Sequence, residues 1–313
     1  MKALFTYDYG IENMAEIRKL GYETLVTKEN EASYSDEYKD VEVLVCYNPF
    51  STLDISLMKN LKWIQLSSIG IDQVPRSVVE ESNIILTNNR GGYSIPMGEW
   101  IVLKTLEIYK NSYGFYERKK KKEWALDKSL LELYGKKILF IGTGTIAQEA
   151  AKRLLGFEME IIGVNTEGRS TPGFNQCYPV NRMGEIIASS DIIVLSIPYT
   201  EKTHHLIDEN MLKQMKQNAV LINVSRGSII NEAALINHLK DGNMMGVALD
   251  VFEKEPLPSN SPLWEMDRVL ISSHNSWISE MRNERRYKMI YENLKRYIEG
   301  KDLLNQVNIN RGY

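Results

Sequence analysis

From Lys137 to Ser272, six short apolar runs recur at residues 137–141, 160–164, 192–197, 219–224, 245–249 and 269–272, with helix-like stretches between them. A strand that is apolar along its whole length needs cover on both faces, and strand–helix alternation supplies that cover in a parallel sheet. Six such units make a complete doubly wound sheet. The same rhythm runs more weakly through the first part of the chain, at residues 3–7, 24–27, 41–46, 63–66 and 84–86, with helix-like intervals at 11–20 and 53–60. It breaks at Gly91-Gly92. Residues 99–113 then read as one long helix whose apolar positions, among them Trp100, Ile101, Leu103 and Leu106, spread around most of its circumference. That pattern fits either a second subunit or a place between two domains. Residues 280–299 form an amphipathic pattern closed by Gly300.

At about 150 residues per domain, 313 residues correspond to two domains, enough to bury a sizeable core. Lys+Arg 38 against Asp+Glu 41 gives a net charge of −3, which offers no electrostatic case for wrapping nucleic acid or coating an anionic membrane. The basic tract Arg118-Lys119-Lys120-Lys121-Lys122 is bracketed by Glu117 and Glu123 and reads as a solvated helix end. Small molecules are the expected partners. Cys46 and Cys177 show no metal or redox spacing, none of the four histidines shows a zinc spacing, and no metal is expected. The start MKALFTYDYG lacks a signal-peptide pattern and no apolar run approaches the ~18 residues of a membrane helix, so the expected location is the cytoplasm.

Residues 137–141 lead into Gly142-Thr143-Gly144-Thr145-Ile146-Ala147, followed by helical periodicity from Gln148 to Leu155. Gly142 allows the tight turn, Gly144 lets the backbone approach a pyrophosphate, and Ala147 lets the helix pack on the strand while its first amides face the anion. This strand–turn–helix context makes the glycine pattern a Rossmann-type dinucleotide site. An NAD site offers Asp or Glu about 20 residues further on, for the ribose 2′-hydroxyl. Here the strand ends in Asn165-Thr166-Glu167-Gly168-Arg169-Ser170. Asn165 is neutral, and Arg169 with Ser170 can hold a 2′-phosphate, which favours NADP over NAD; Glu167 is the competing signal for NAD.

Three later segments each end a strand with a reactive residue: Asn223-Val224-Ser225-Arg226-Gly227, Asp250 to Glu255-Pro256, and Ser272-Ser273-His274-Asn275. With Ser68-Ile69-Gly70-Ile71-Asp72, Trp124, the segment from Pro198 through Thr203 to Leu206, and Pro262-Leu263-Trp264, they make the chain similar, over almost its whole length, to the D-isomer-specific 2-hydroxyacid dehydrogenases. That group includes D-3-phosphoglycerate, D-lactate, glyoxylate and hydroxypyruvate enzymes. Ser272-Ser273 stands where Thr-Pro is common before the histidine, Asn165 replaces the frequent ribose-binding acid, and Ala147 replaces the third glycine.

The resemblance implies hydride transfer between NAD(P)H and a 2-keto acid or D-2-hydroxy acid. Arg226 would bind the substrate carboxylate through its planar fork, His274 would be the acid/base, and Glu255 would orient the imidazole and favour its protonated form. The cofactor would lie along Gly142, Gly144, Thr145, Ile146, Asn165, Thr166, Arg169, Ser170, Pro198, Val224 and Asp250. Ser68, Ile69, Gly70 and Phe50 would meet the substrate. Residues 1–97 with 281–313 would form a flavodoxin-like substrate domain, into which an NAD(P)-binding domain at 98–280 is inserted, and the protein would be a homodimer. A second reading is a dinucleotide-sensing, corepressor-like binding protein of the same fold.

Overall fold

Among the described residues, 1–309, the computed structural model holds two sheets in which every strand pair is parallel. The last residues of the expected C-terminal segment, 310–313, lie outside this range. The chain divides into two units, one made of Met1–Tyr93 with the segment from Ser279 onward, the other of Ser94–Ile278.

In the first unit, β1 (Lys2–Phe5), α1 (Ile11–Lys19), β2 (Glu23–Val26), β3 (Val41–Cys46), β4 (Trp63–Leu66), α2 (Arg76–Glu81) and β5 (Ile85–Thr87) follow in turn. The sheet order is β2-β1-β3-β4-β5, the flavodoxin-like order. Successive side chains point to opposite faces, so one strand feeds two cores. Leu4, Leu44, Cys46, Ile64 and Leu66 pack on one side, and Ala3, Phe5, Val43, Val45 and Trp63 on the other. The C-terminal helix, Arg282–Ile298, buries Ile290 and Leu294 in the second of these cores. A buried polar chain ties it down. Asn293 Nδ2 donates to Gln65 Oε1 at 2.8 Å and to the Leu304 carbonyl at 3.0 Å, while its Oδ1 accepts from the Leu304 amide at 2.8 Å. The Gln65 oxygen also accepts from Thr87 Oγ1, which in turn accepts from Trp63 Nε1.

The second unit contains α3 (Ser94–Tyr109), α4 (Ser112–Lys121), β6 (Lys137–Ile141), α5 (Thr145–Leu154), β7 (Glu160–Asn165), β8 (Gln176–Pro179), α6 (Met183–Ser189), β9 (Ile192–Leu195), α7 (Glu209–Gln214), β10 (Ala219–Asn223), α8 (Glu232–Lys240), β11 (Met244–Leu249) and β12 (Val269–Ile271). The order β12-β11-β10-β9-β6-β7-β8 is a doubly wound Rossmann-type sheet, with its switch point between β6 and β9. In such sheets ligands bind beyond the strand carboxyl ends at the switch point.

Three elements differ from expectation. Residues 53–60 hold only a short 3-10 turn, Ile55–Leu57, because Asp54 Oδ1 accepts from the Ser56 amide at 2.9 Å and closes a local turn. The single helix expected at 99–113 is two helices, broken where Asn111 takes a left-handed conformation at φ 46° and accepts from the Gly114 amide to start α4. Strand β8, Gln176-Cys177-Tyr178-Pro179, is a short, half-exposed edge strand with no aliphatic run to announce it. The division at Tyr93 and Ser94, earlier than the expected 97/98, follows from α3. Its first turn is buried, Ser94 Oγ donates to Thr145 Oγ1 at 2.8 Å, and a β-carbon at Gly98 would lie 2.9 Å from the Ala150 nitrogen.

Candidate active site

The phosphate loop between β6 and α5 is shaped by two glycines with different reasons. Gly142 has φ +95°, and a β-carbon there would lie 2.6 Å from the Ser196 carbonyl oxygen, so both conformation and space demand glycine. Gly144 has φ −73° and nothing within 4 Å of where a β-carbon would be. It precedes the first turn of α5 with no side chain capping the helix, which leaves amides and a positive helix end facing open space. Ala147 is fully buried. The loop is built to accept an anion such as a pyrophosphate, with Thr145 and Ile146 on the helix's first turn.

Asn165, at the end of β7, is committed to the chain itself. Its Nδ2 donates to Thr143 Oγ1 at 3.2 Å and to the Arg169 carbonyl at 2.8 Å, and its Oδ1 accepts from the Arg169 amide at 2.8 Å. Thr171 Oγ1 adds a bond to Thr143 Oγ1 at 3.1 Å. The knot fixes the turn 165–169 against the phosphate loop. Thr166, Glu167, Arg169 and Ser170 are left exposed, and neither the Arg169 nor the Glu167 side chain has a hydrogen-bond or ion-pair partner among the described residues.

Beyond β9, Pro198 is exposed, and Ser225 Oγ accepts from the Ile197 amide at 3.1 Å, linking this loop to the one after β10. There Val224 is buried with its amide bonded to the Leu195 carbonyl. Asn223, also buried, closes the turn that presents Arg226. Its Oδ1 accepts from the Ser225 amide at 3.0 Å and its Nδ2 donates to the Arg226 carbonyl at 3.0 Å. Arg226 also donates from its guanidinium to the Ser225 carbonyl at 2.8 Å.

Asp250, 1% exposed, follows β11 and organises the loop after β12. Its Oδ1 accepts from Ser272 Oγ at 2.5 Å, from the Asn275 amide at 2.8 Å and from the Ser276 amide at 3.1 Å. Its carbonyl accepts from the His274 amide at 2.8 Å, and Trp277 Nε1 donates to the His274 carbonyl at 2.7 Å. These bonds hold His274 at φ +53°, a left-handed conformation uncommon for a side-chain-bearing residue. The ring meets Glu255, with Nδ1 and Oε2 2.9 Å apart, and 40% of the histidine side chain is exposed. Burial pushes the Glu255 carboxyl up, but the His274 bond, the Phe252 amide and the charges of His274 and Arg226 outweigh it and hold Glu255 below the ordinary glutamate value. Glu255 and His274, distant in sequence, are thus brought into direct contact, and the Arg226 charge acts on Glu255.

The remaining expected residues belong to the first unit. Ser68, Ile69 and Gly70 form a half-buried loop after β4, held by Ser68 Oγ donating to the Gly70 carbonyl at 2.8 Å and by Asn88 Nδ2 donating to the Ile69 carbonyl at 2.8 Å. Phe50, after β3, is half-buried against that unit's core. The side-chain anchors Thr143, Thr171 and Ser225 went unrecognised in the sequence, because a short polar residue beside a motif looks like any loop residue until its partner is known, and nothing there marked the Trp277 indole or the Ser276 amide as partners of the histidine loop. No cluster of three or more His, Cys, Asp or Glu that could hold a metal occurs among the described residues, and no described helix is long and apolar enough to cross a membrane.

Residues 102–276 match the family model described as D-isomer specific 2-hydroxyacid dehydrogenase, NAD binding domain. The chain is 31% identical to D-3-phosphoglycerate dehydrogenase of Methanocaldococcus jannaschii over 97% of its own length, and spans 58% of that longer protein. It is 30% identical to glyoxylate reductase of Thermofilum pendens, over 84% of this chain and 80% of that one. A D-isomer specific 2-hydroxyacid dehydrogenase from Xanthobacter autotrophicus Py2, solved with NADPH and MES, superposes with a TM-score of 0.85 at 23% identity, covering 100% of this chain and 99% of that one, a likeness of fold. A doubly wound nucleotide unit with a strand-end His–Glu pair defines an NAD(P)-dependent oxidoreductase class. The chain belongs to the D-isomer specific 2-hydroxyacid dehydrogenase family.

Proposed function

We propose that the protein reduces a 2-keto acid to a D-2-hydroxy acid with NADPH or NADH, with Arg226, Glu255 and His274 as its chemical groups. The observation that carries this reading is the His274–Glu255 contact at 2.9 Å within the field of Arg226. Arg226 binds the substrate carboxylate and polarises the adjacent carbonyl. Glu255 occupies Nδ1 of His274, which leaves Nε2 to donate a proton to the carbonyl oxygen during reduction and to take it back during oxidation. A bound nicotinamide supplies the hydride in this chemistry.

The phosphate loop's open Gly144 and uncapped helix fit a pyrophosphate. With the Asn165 amide group spent on its own turn, the exposed Thr166, Arg169 and Ser170 are left for the ribose, and the unpaired Arg169 guanidinium supports a preference for NADP. Pro198, Val224 and Asp250 complete the proposed cofactor side, with the Asp250 carboxylate acting mainly by holding the His274 loop. Met1–Tyr93 with the segment from Ser279 onward serves as the substrate domain and Ser94–Ile278 as the nucleotide domain. Exposed Tyr116, Trp124, Leu126 and Tyr134, after α3, support a homodimer, and the protein acts in the cytoplasm. A binding-only sensor has no use for an assembled Arg226, Glu255 and His274 set.

The test is to mix the protein with NADPH, then NADH, and a panel of 2-keto acids, and follow cofactor absorbance. Oxidation of the reduced cofactor is expected with at least one unphosphorylated keto acid, faster with NADPH. Tight cofactor binding with no oxidation across the panel would overturn the proposal.

A further inference from the structure

The segment that carries Glu255 is gripped at a second point by another imidazole. Nε2 of His205 lies 2.7 Å from Oε1 of Glu253, two residues before Glu255. The same carboxylate oxygen accepts from the Glu232 amide at the start of α8 at 3.1 Å, and Glu232 answers by accepting from the Glu253 amide through Oε2 at 3.3 Å. His205 is itself immobilised. Its backbone is left-handed at φ 48°, its amide donates to the Ser228 carbonyl at 2.8 Å, and its ring stacks on His204 with centroids 3.9 Å apart. On the opposite side there is no slack, because a β-carbon at Gly227 would overlap the backbone of Phe252 and Glu253. Phe252 is buried, and its amide donates to Glu255 Oε1 at 3.1 Å. Two imidazole–carboxylate pairs, His205–Glu253 and His274–Glu255, thus share one short segment.

We propose that His205 is a positioning residue for proton transfer: through Glu253 it holds segment 252–255 so that Glu255 stays seated against Nδ1 of His274. The inference rests on the reading of His274 as the acid/base. Outer hydrogen-bond partners that fix a working group's orientation contribute to its chemistry without touching the reacting atoms. A side chain that served only to hold the fold would instead act independently of Glu255.

The test compares kcat and KM for the wild type, His205→Ala, His205→Gln, Glu255→Gln and the His205→Ala/Glu255→Gln double variant, using the fastest keto acid with NADPH. His205→Ala is expected to lower kcat about tenfold with the NADPH KM within about twofold, since the change acts on the chemical step. His205→Gln, which still donates to Glu253, recovers most of the loss. The double variant is no more than about twofold slower than Glu255→Gln alone, the non-additivity of residues acting through one another. A His205→Ala enzyme as fast as wild type, absence of recovery in His205→Gln, or full multiplication of the two losses overturns the inference. If His205→Ala does not fold, Glu253→Gln with and without Glu255→Gln makes the same comparison. His274→Ala, run alongside, separates the two readings: persistent turnover there removes the acid/base assignment, whereas its loss together with an unaffected His205→Ala removes only the positioning role.

Discussion

Nδ1 of His274 and Oε2 of Glu255 lie 2.9 Å apart beyond the neighbouring strands β12 and β11, and they meet because the buried carboxylate of Asp250 folds the histidine loop back over the end of its own strand. The pair is thus held by a second acidic residue, whose carboxylate accepts from the Ser272 hydroxyl and from the Asn275 and Ser276 amides.

The held-down ionisation of Glu255 puts a charged carboxylate against the His274 ring. Replacing Glu255 with Gln is expected to lower kcat for keto acid reduction about 10- to 100-fold with the NADPH KM within about twofold, because the ring loses its charged partner. An unchanged kcat would remove Glu255 from its assigned role.

Stability should follow the same carboxyl groups. Burial pushes Asp191 up, but the Lys137 amide and Lys216 ammonium more than reverse it. Glu255 and Asp191 are both depressed in the folded protein, so their contribution is present above the unfolded values near about pH 4 and is lost as pH falls through the folded ones. Thermal melts from pH 6 downward should show Tm falling most steeply below about pH 4. Glu255→Gln should flatten that fall.

The two loop glycines separate folding from binding. Gly144→Ala meets open space at an ordinary φ, so Tm is expected to stay near the wild-type value while NADPH affinity drops about tenfold or more. Gly142→Ala collides with the Ser196 carbonyl at a φ that alanine avoids, and should lose both Tm and affinity. Fluorescence titration with NADPH and a thermal melt on each variant check the pattern; equal effects of both changes on Tm would contradict it.

Replacing Arg169 tests the proposed cofactor preference. Its removal in Arg169→Ala is expected to lower kcat/KM for NADPH about tenfold or more while leaving NADH within about threefold, because only the former carries the 2′-phosphate a guanidinium can clasp. Parallel losses with both cofactors would show that Arg169 does not read the ribose.

Asn293 anchors the C-terminal helix from inside the core. Asn293→Ala strands the Leu304 amide and carbonyl and removes one donor from Gln65, so a loss of about 2–4 kcal/mol is expected in urea unfolding. A change under about 0.5 kcal/mol would mean that these groups find other partners.

Much of this architecture could be read before any coordinates. The apolar runs of β6, β7, β9, β10 and β11 sit within a residue or two of where periodicity put them, since strands buried on both faces leave an unbroken apolar signature. Strand β8 and the break at Asn111 were not legible. The first is short, edge-lying and without an aliphatic run, and the second depends on one asparagine choosing a left-handed backbone over helix. The convergence of Arg226, Glu255 and His274 was expected from a resemblance, whereas the work of Asp250, Asn223 and Asn165 as turn anchors emerges only from hydrogen-bond geometry. Local pattern predicts strands well; it carries no information about which loop carboxylate will reach which amide.

The most direct measurement is single-turnover reduction of a keto acid by wild type and His274→Ala, each with NADPH bound, with chiral analysis of the product. The wild type should form the D-2-hydroxy acid in proportion to NADPH consumed, and His274→Ala should hold NADPH with affinity within about twofold yet react about a thousandfold or more slower. A His274→Ala enzyme that matches the wild-type rate, or an L-configured product, would contradict the account.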